Sequence, residues 1–380
     1  MTHDKLSQAT IAAHAAGAQE PATGGVVPGI SVATTYLRDE EYRLFRADNI
    51  YGRDQNDTVR QAEAVLRALE GAEATLLFPS GMAAVAALFR QVPGGGRVIV
   101  QSGIYWGVTA WAREFCARRG ITLTEVDAAD GATLEAACGQ AADLVWIEVP
   151  SNPWLKSVDI ARAAQAAHGA GAMLGVDATA ASPVILRPLA LGADVVMHSA
   201  TKVMNGHSDV LAGVLSTNAP ESALWRDVAR DRHDAGAIIG PFEAWLLMRG
   251  LRTLPLRIER MCRSALSLAQ YLDTHPGIET VFYPGLPGHD GHGVAAGQMR
   301  GGFGYLMSAL VRGGHAEAAR VVSNLRLFGR ATSLGGVESL IEHRHVIEPH
   351  TGIPENLLRI SIGIEDEADL RADLEQALAR

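Results

Sequence analysis

Cysteine is scarce in this chain: Cys116, Cys138 and Cys262 are the three it has in 380 residues, and no Cys-x-x-Cys pair occurs. That spacing offers neither a zinc site nor a redox dithiol, so the three are expected as reduced packing residues. Basic residues are not in excess either. Lys and Arg number 33 against 42 Asp and Glu, for a formal net charge of −9, and no basic tail or stripe interrupts the balance, which argues against nucleic acid as a partner. No apolar run reaches membrane-spanning length. The start, with Asp4, Lys5 and Gln8, lacks the apolar segment of a secretory signal, so the expectation is a cytoplasmic protein without a membrane partner. There is no internal repeat and no low-complexity tract. What is abundant is aliphatic residues: 48% of the chain is hydrophobic and 20% charged, enough at this length for a globular enzyme of about two domains.

Residues 1–60 are irregular and rich in Gly, Pro, Thr and Asp, a segment expected to wrap over another surface or a neighbouring subunit. A helical pattern starts at Val59 (Val59, Ala62, Val65, Leu66, Leu69) and stops at Gly71. Strands and helices then alternate. Strands are expected over 74–78, 97–101, 121–126, 144–149, 172–177, 194–198 and 210–216. Helices are expected from the Ser80 cap through Phe89, over 105–119 and 133–141, and near 160–168. Strands separated by helices imply a mostly parallel sheet covered on both faces. Beyond Pro241 a long helical stretch, 242 to about 275 with a kink or break at Pro255, is expected to link this unit to a smaller one. Strands over 278–283, 303–309 and 358–364, with helices near 315–325 and 367–379, make that second unit α/β as well. The expected division is an arm (1–60), a large domain (61–245) and a C-terminal small domain (246–380).

In parallel α/β sheets ligands gather at the C-terminal ends of strands, and several polar residues fall there. Ser80-Gly81-Met82 follows one strand and opens a helix; its free N–H groups can hold a phosphate, or Ser80 can be a plain N-cap. Tyr105 follows the next strand and can stack on a flat ring or serve as an ordinary aromatic. Asn152 can reach a ring oxygen or shape a turn. Asp177 ends an apolar strand, where a carboxylate is costly without a partner; a protonated pyridine nitrogen suits it, and capping the next turn is the alternative. The fullest signal is the stretch from His198 to Asp209, where Lys202 is a lone amine beside Ser199 and Thr201. An amine for an aldehyde and two hydroxyls for a phosphate are what pyridoxal 5′-phosphate (PLP) requires of its protein.

The order of phosphate loop, aromatic, Asn, Asp and then Lys resembles the fold-type I PLP enzymes. More closely, the chain resembles the Cys/Met-metabolism, or transsulfuration, family: cystathionine γ-synthase, cystathionine γ- and β-lyases, methionine γ-lyase and O-acylhomoserine sulfhydrylases. The likeness runs from Pro21-Ala22-Thr23-Gly24-Gly25-Val26-Val27-Pro28 and Thr34-Thr35-Tyr36 to Leu358-Arg359-Ile360-Ser361-Ile362-Gly363-Ile364-Glu365-Asp366. The resemblance implies the fold-type I transferase fold, with a mostly parallel seven-stranded sheet in the large domain. It implies Lys202 as the cofactor-holding lysine and proton carrier, Asp177 on the pyridine nitrogen, and Tyr105 on the ring as an assisting acid–base group. Gly81, Met82, Ser199 and Thr201 would hold the phosphate, Ser80 and Thr179 would also bind the cofactor, and Asn152 would face both ring and substrate. Arg359 would grip the substrate α-carboxylate, with Ser333 beside it. Tyr51 and Arg53, in Tyr51-Gly52-Arg53, would reach the neighbouring subunit's cofactor and substrate, which implies an obligatory dimer and the family's tetramer. The implied activity is C–S bond elimination on an amino acid such as cystathionine, with γ-replacement on an O-acylhomoserine, or methionine γ-lyase activity, as alternatives.

The chain departs from the family pattern in several places, among them a shortened stretch before Arg359. Trp106 stands after Tyr105 where Gly is usual, and Asn56-Asp57-Thr58 replaces Asn-Pro-Thr. Thr332 precedes Ser333 where several γ-enzymes carry Glu. Glu342-His343-Arg344-His345-Val346-Ile347-Glu348-Pro349-His350 replaces the His-Pro-Ala and Met-Thr-His elements. The histidines of that last segment have no fixed i, i+4 helical pair and are expected to be loop residues, so no metal is expected.

Overall fold

Seven short apolar runs pair into one sheet in a computed structural model, which describes residues 6–20 and 22–379. Asp4 and Lys5 of the polar start, and Pro21 of the N-terminal motif, lie outside the described residues. The strands are β1 (Ala74–Phe78), β2 (Arg97–Gln101), β3 (Thr122–Val126), β4 (Leu144–Glu148), β5 (Met173–Asp177), β6 (Val195–His198) and β7 (Gly213–Thr217), in the spatial order β1-β7-β6-β5-β4-β2-β3. All ladders are parallel except the two made by β7, which runs antiparallel to β1 and β6.

Side chains alternate across a strand, and in the central strands β4 and β6 both sets are buried. Leu144 and Trp146 of β4 join one core with Phe78, Val98 and Met197, while Val145 and Ile147 join the opposite core with Leu77, Leu174 and Val196. Helices that follow the strands close both faces. Among these, Ser80 caps Gly81–Phe89 by accepting the Ala83 N–H at 3.1 Å, and Asp159 caps Ile160–Gly169. The consequence for the site is register. Glu148 lies opposite Asp177, and Asp177 opposite Met197, so β4, β5 and β6 end side by side.

The C-terminal part forms a second sheet of β8 (Ile278–Phe282), β9 (Leu306–Val311), β10 (Gly329–Arg330), β11 (Leu340–His343) and β12 (Leu357–Ser361), in the order β10-β11-β12-β9-β8. It is antiparallel apart from the β10–β11 pair and has its own core, in which Leu268, Met307, Ile341, Ile360 and Leu374 meet. Among the described residues no helix is long and apolar enough to cross a membrane. The three cysteines are buried free thiols.

Several boundaries differ from expectation for physical reasons. The long helix after Pro241 is two, Pro241–Leu251 and Leu254–Asp273, and Pro255 sits in the first turn of the second. There its missing N–H costs no hydrogen bond, so the proline starts a helix instead of kinking one. The helix expected from Val59 begins at Asp57, because Asn56 accepts the N–H groups of Thr58 and Val59; the Asn-Asp-Thr departure is thus a working N-cap. Tyr105 is not in the helix that follows but is the residue ahead of its first turn, Trp106–Arg119. Elements not foreseen include the helix Gln8–Ala13 in the segment expected to be irregular, the helix Ala223–Ala235, in which charged residues outnumber the buried apolar ones, the helix His292–Gln298, β10, and β11, whose Glu342 lies directly across from Arg359 of β12.

Candidate active site

Where β4, β5 and β6 end, the second sheet closes over them and leaves a cleft of about 300 Å³. Its floor is Asp177. The carboxylate accepts the Thr179 N–H at 2.9 Å and, among the described residues, makes no ion pair, while the residue is only 6% exposed. Burial pushes its pKa up, the signature of an anion that lacks its cation. The adjoining strand end repeats the situation. Glu148 is held well above the ordinary carboxylate range by burial first and by the charge of Asp177 second. Its two oxygens accept the N–H of Tyr105 at 2.9 Å and of Asn152 at 2.6 Å. Glu148 thereby fixes the backbone of two residues that line the cleft.

Lys202 stands across from Asp177 on the segment after β6. Its Nζ donates to Ser333 Oγ at 3.0 Å. Burial, and then the nearby Arg359 guanidinium, lower its pKa, with Glu342 pulling the other way. The turn beyond it is clamped by Arg257, a buried guanidinium that donates to the carbonyls of Val203 (2.6 Å), Met204 (3.2 Å) and Gly250 (2.8 Å). Burial lowers Arg257 to about 10.

One end of the cleft is built from small residues. Ser80, Gly81 and Met82 open a nine-residue helix, and Ser199 and Thr201 face them. A Cβ on Gly81 would lie 3.0 Å from Ser199 Cβ and 3.1 Å from its hydroxyl, so only glycine lets the helix start close against that segment. The Ser199 N–H donates to Thr179 Oγ1 at 2.8 Å. The Thr201 hydroxyl is exchanged with Ala212, donating to its carbonyl at 3.2 Å and accepting its N–H at 2.9 Å. Tyr105 and Trp106 form the outer wall, their rings 6.1 Å apart. Gly107 allows this: a Cβ there would sit 2.6 Å from the Tyr105 ring.

The opposite wall is ionic. Arg359 is 4% exposed; it donates to Ser333 O at 2.7 Å and Asn152 Oδ1 at 3.3 Å and pairs with Glu342 at 2.8 Å. Burial lowers its pKa to about 10. Glu342 also takes the Thr332 hydroxyl at 2.7 Å and a bond from Arg344, which pairs in turn with Glu348.

Of the residues expected from sequence, Ser80, Gly81, Met82, Tyr105, Asn152, Asp177, Thr179, Ser199, Thr201, Lys202, Ser333 and Arg359 all line this cleft. Tyr51 and Arg53 do not line the cleft of their own chain. Tyr51 is exposed, and Arg53 bonds His233 Nε2 at 2.9 Å, with His233 Nδ1 on Asp54 at 2.7 Å. The histidine-rich stretch turns its rings to backbone: His343 and His345 donate to the carbonyls of Glu355 and Ile353. Glu148, Arg257, Glu342 and Arg344 were not anticipated as site residues. Glu148 carried the same signal as Asp177, an acid ending a fully buried strand.

The donor set fits PLP. An amine faces a carboxylate without a cation, and a glycine-lined helix start stands beside the Ser199 and Thr201 side chains, where its first N–H groups can meet a phosphate.

Comparisons with known proteins agree. Residues 9–379 match the family model described as Cys/Met metabolism PLP-dependent enzyme. The chain is 42% identical over 377 residues to the cystathionine gamma-synthase of Mycobacterium tuberculosis, covering 97% of this chain and 96% of that one. It is 38% identical over 374 residues to the cystathionine gamma-lyase of Dictyostelium discoideum, covering 96% of each. The crystal structure of metB from Corynebacterium glutamicum superposes with a TM-score of 0.95 at 37% identity, over 100% of this chain and 99% of that one. The chain belongs to the Cys/Met-metabolism family of PLP-dependent enzymes, with the fold and the cofactor of that family.

Proposed function

We propose that this enzyme is a carbon–sulfur lyase that acts by β- or γ-elimination on a thioether amino acid such as cystathionine. The observation that carries the reading is the meeting, in one cleft, of an amine with a lowered pKa, a buried carboxylate without a cation, and a buried guanidinium. PLP, when bound, supplies the electron sink for charge that develops at the substrate Cα. Lys202 holds the cofactor and moves the Cα proton, and its lowered pKa keeps the neutral, basic form accessible. Asp177 keeps the ring nitrogen protonated. Gly81, Met82, Ser199 and Thr201 receive the phosphate end, with Ser80 and Thr179 also against the cofactor. Tyr105 covers the ring and assists proton transfer, held in place by Glu148 and Gly107. Arg359 and Asn152 take the α-carboxylate, and Ser333 orients the amine of Lys202.

Trp106, Leu211 and Ile347 give the outer cleft an apolar lining, which suits a thioether chain. Thr332 is spent on Glu342; a glutamate there would face a second carboxylate, which is why the usual γ-enzyme arrangement does not carry over. Given L-cystathionine, the purified PLP-loaded enzyme is expected to release a thiol and a 2-oxo acid. Pyruvate marks β-elimination and 2-oxobutyrate marks γ-elimination. The second reading is γ-replacement on an O-acylated homoserine, favoured by the 42% identity to a relative named cystathionine gamma-synthase. Inertness toward cystathionine together with turnover of an O-acylhomoserine and cysteine would replace the first reading by the second.

The working unit in this proposal is at least a dimer, in which the exposed segment carrying Tyr51 and Arg53 reaches the neighbour and completes its site. Exposure of both residues away from their own cleft supports this. Subunit mixing tests it. Lys202→Ala and Arg53→Ala chains, each inactive alone, are expected to recover up to about a quarter of wild-type activity after joint refolding, since half of the dimers are hybrids with one intact site in two. No recovery from a mixture of folded, exchanging subunits would place Arg53 in the service of its own chain.

A further inference from the structure

The ionic wall contains more charge than holding one carboxylate requires. Arg359 Nη2 donates to Ser333 O at 2.7 Å and stands 2.8 Å from Glu342 Oε2 as an ion pair. Nη1 is on Asn152 Oδ1 at 3.3 Å. A fork-like grip on an incoming carboxylate uses two N–H groups aimed the same way, and turning Nη2 toward such a carboxylate draws Arg359 away from Glu342, the partner that is an anion like the substrate. Glu342 is 5% exposed. Left without a cation it would be an unpaired buried charge, and binding would be disfavoured by that much. The same oxygen, Glu342 Oε2, is also bonded by Arg344 Nη1. Arg344 is 2% exposed, lines the cleft, is braced from its other side by Glu348, and stands where the family pattern has proline.

We propose that Arg344 is a positioning residue which holds Glu342 when Arg359 turns from Glu342 to the substrate α-carboxylate, so that the Glu342–Arg344 pair sets the affinity for amino-acid substrates. This rests on the reading of Arg359 as the α-carboxylate ligand. In it, Glu342 is a competitor of the substrate, and Arg344 keeps that competitor occupied. The arrangement predicts opposite signs for two neighbouring substitutions, which a merely structural ion cluster does not.

The test is equilibrium titration of the PLP-loaded enzyme with L-norleucine, which has no leaving group, read by the change in cofactor absorbance, with pentylamine as the matching amine without a carboxylate. Glu342→Gln is expected to tighten norleucine about threefold or more, Arg344→Met to weaken it about tenfold, and the double variant to return within about threefold of wild type. Pentylamine binding should move in none of them. Glu342→Gln keeps shape and size, so if Arg344→Met fails to fold, the sign of the Glu342→Gln effect alone decides. Weaker or unchanged norleucine binding in Glu342→Gln overturns the proposal. Arg359→Met separates the two readings: if it leaves norleucine binding intact, the role of Arg359 itself is wrong. If it abolishes binding while Glu342→Gln fails to tighten it, only the role of the Glu342–Arg344 pair is wrong.

Discussion

Replacing Lys202 with alanine is expected to lower turnover by about three orders of magnitude or more, since positioned proton transfer alone contributes about 10²–10⁴-fold and the same residue is assigned to hold the cofactor. The geometry makes the substitution informative. Lys202 Nζ donates to Ser333 Oγ at 3.0 Å, and its side chain lines the cleft together with Asp177 and Arg359. Alanine leaves the backbone turn intact, because Arg257 holds the Val203 and Met204 carbonyls independently of the amine. The fold should therefore survive, and the thermal transition of the cofactor-free chain should move little. Borohydride reduction followed by mass spectrometry should add the cofactor to wild type at Lys202 and leave the variant unmodified. Small primary amines supplied in solution should restore part of the proton-transfer rate, since the lost group is an amine with space left behind it. A variant that still retains covalent cofactor after reduction would show that another lysine carries it.

Much of this architecture was legible because hydrophobic burial on both faces leaves a strong trace. β1 and β2 were bounded to the residue, and β4 and β5 to within a residue at either end, since an all-apolar run flanked by polar turns has few other ways to be buried. Twelve of the anticipated residues line one cleft because chemistry at strand ends follows from strand order, and the strands were right. What escaped notice was charge paired with charge. Along the sequence Glu342 and Arg344 stood out only as part of a departure from the family pattern; across the sheet Glu342 meets Arg359, a partner 17 positions away. Glu148 was missed differently, since the argument applied to Asp177 holds equally for it. The helix Ala223–Ala235 hides behind its charges, burying little beyond Trp225 and Val228. Pro255 shows the limit of reading a proline as a break when it can also be a start. Tyr51 and Arg53 lie outside their own cleft, a placement that only the likeness to the family suggested.

Asp177→Asn is the substitution expected to separate cofactor chemistry from folding most cleanly. Asparagine keeps the oxygen that accepts the Thr179 N–H at 2.9 Å, so the turn after β5 keeps its bond. What it removes is the charge. A carboxyl whose folded pKa is raised by burial binds its proton more readily folded than unfolded. In the cofactor-free chain, ionised Asp177 therefore costs stability above that pKa, and the cost fades as pH falls through it. Its charge also raises Glu148. The cofactor-free variant should consequently melt at or above the wild-type temperature at neutral pH, with the difference shrinking in acid. With PLP the sign reverses: the protonated ring nitrogen loses its anion. Breaking one side of a buried pair costs about 3–5 kcal/mol, which corresponds to at least about 10²-fold in cofactor affinity or turnover. A residue that merely capped a turn would lower both quantities together. Melting curves with and without PLP, alongside a PLP titration, distinguish the cases, and a variant that binds and turns over normally would remove Asp177 from the ring nitrogen.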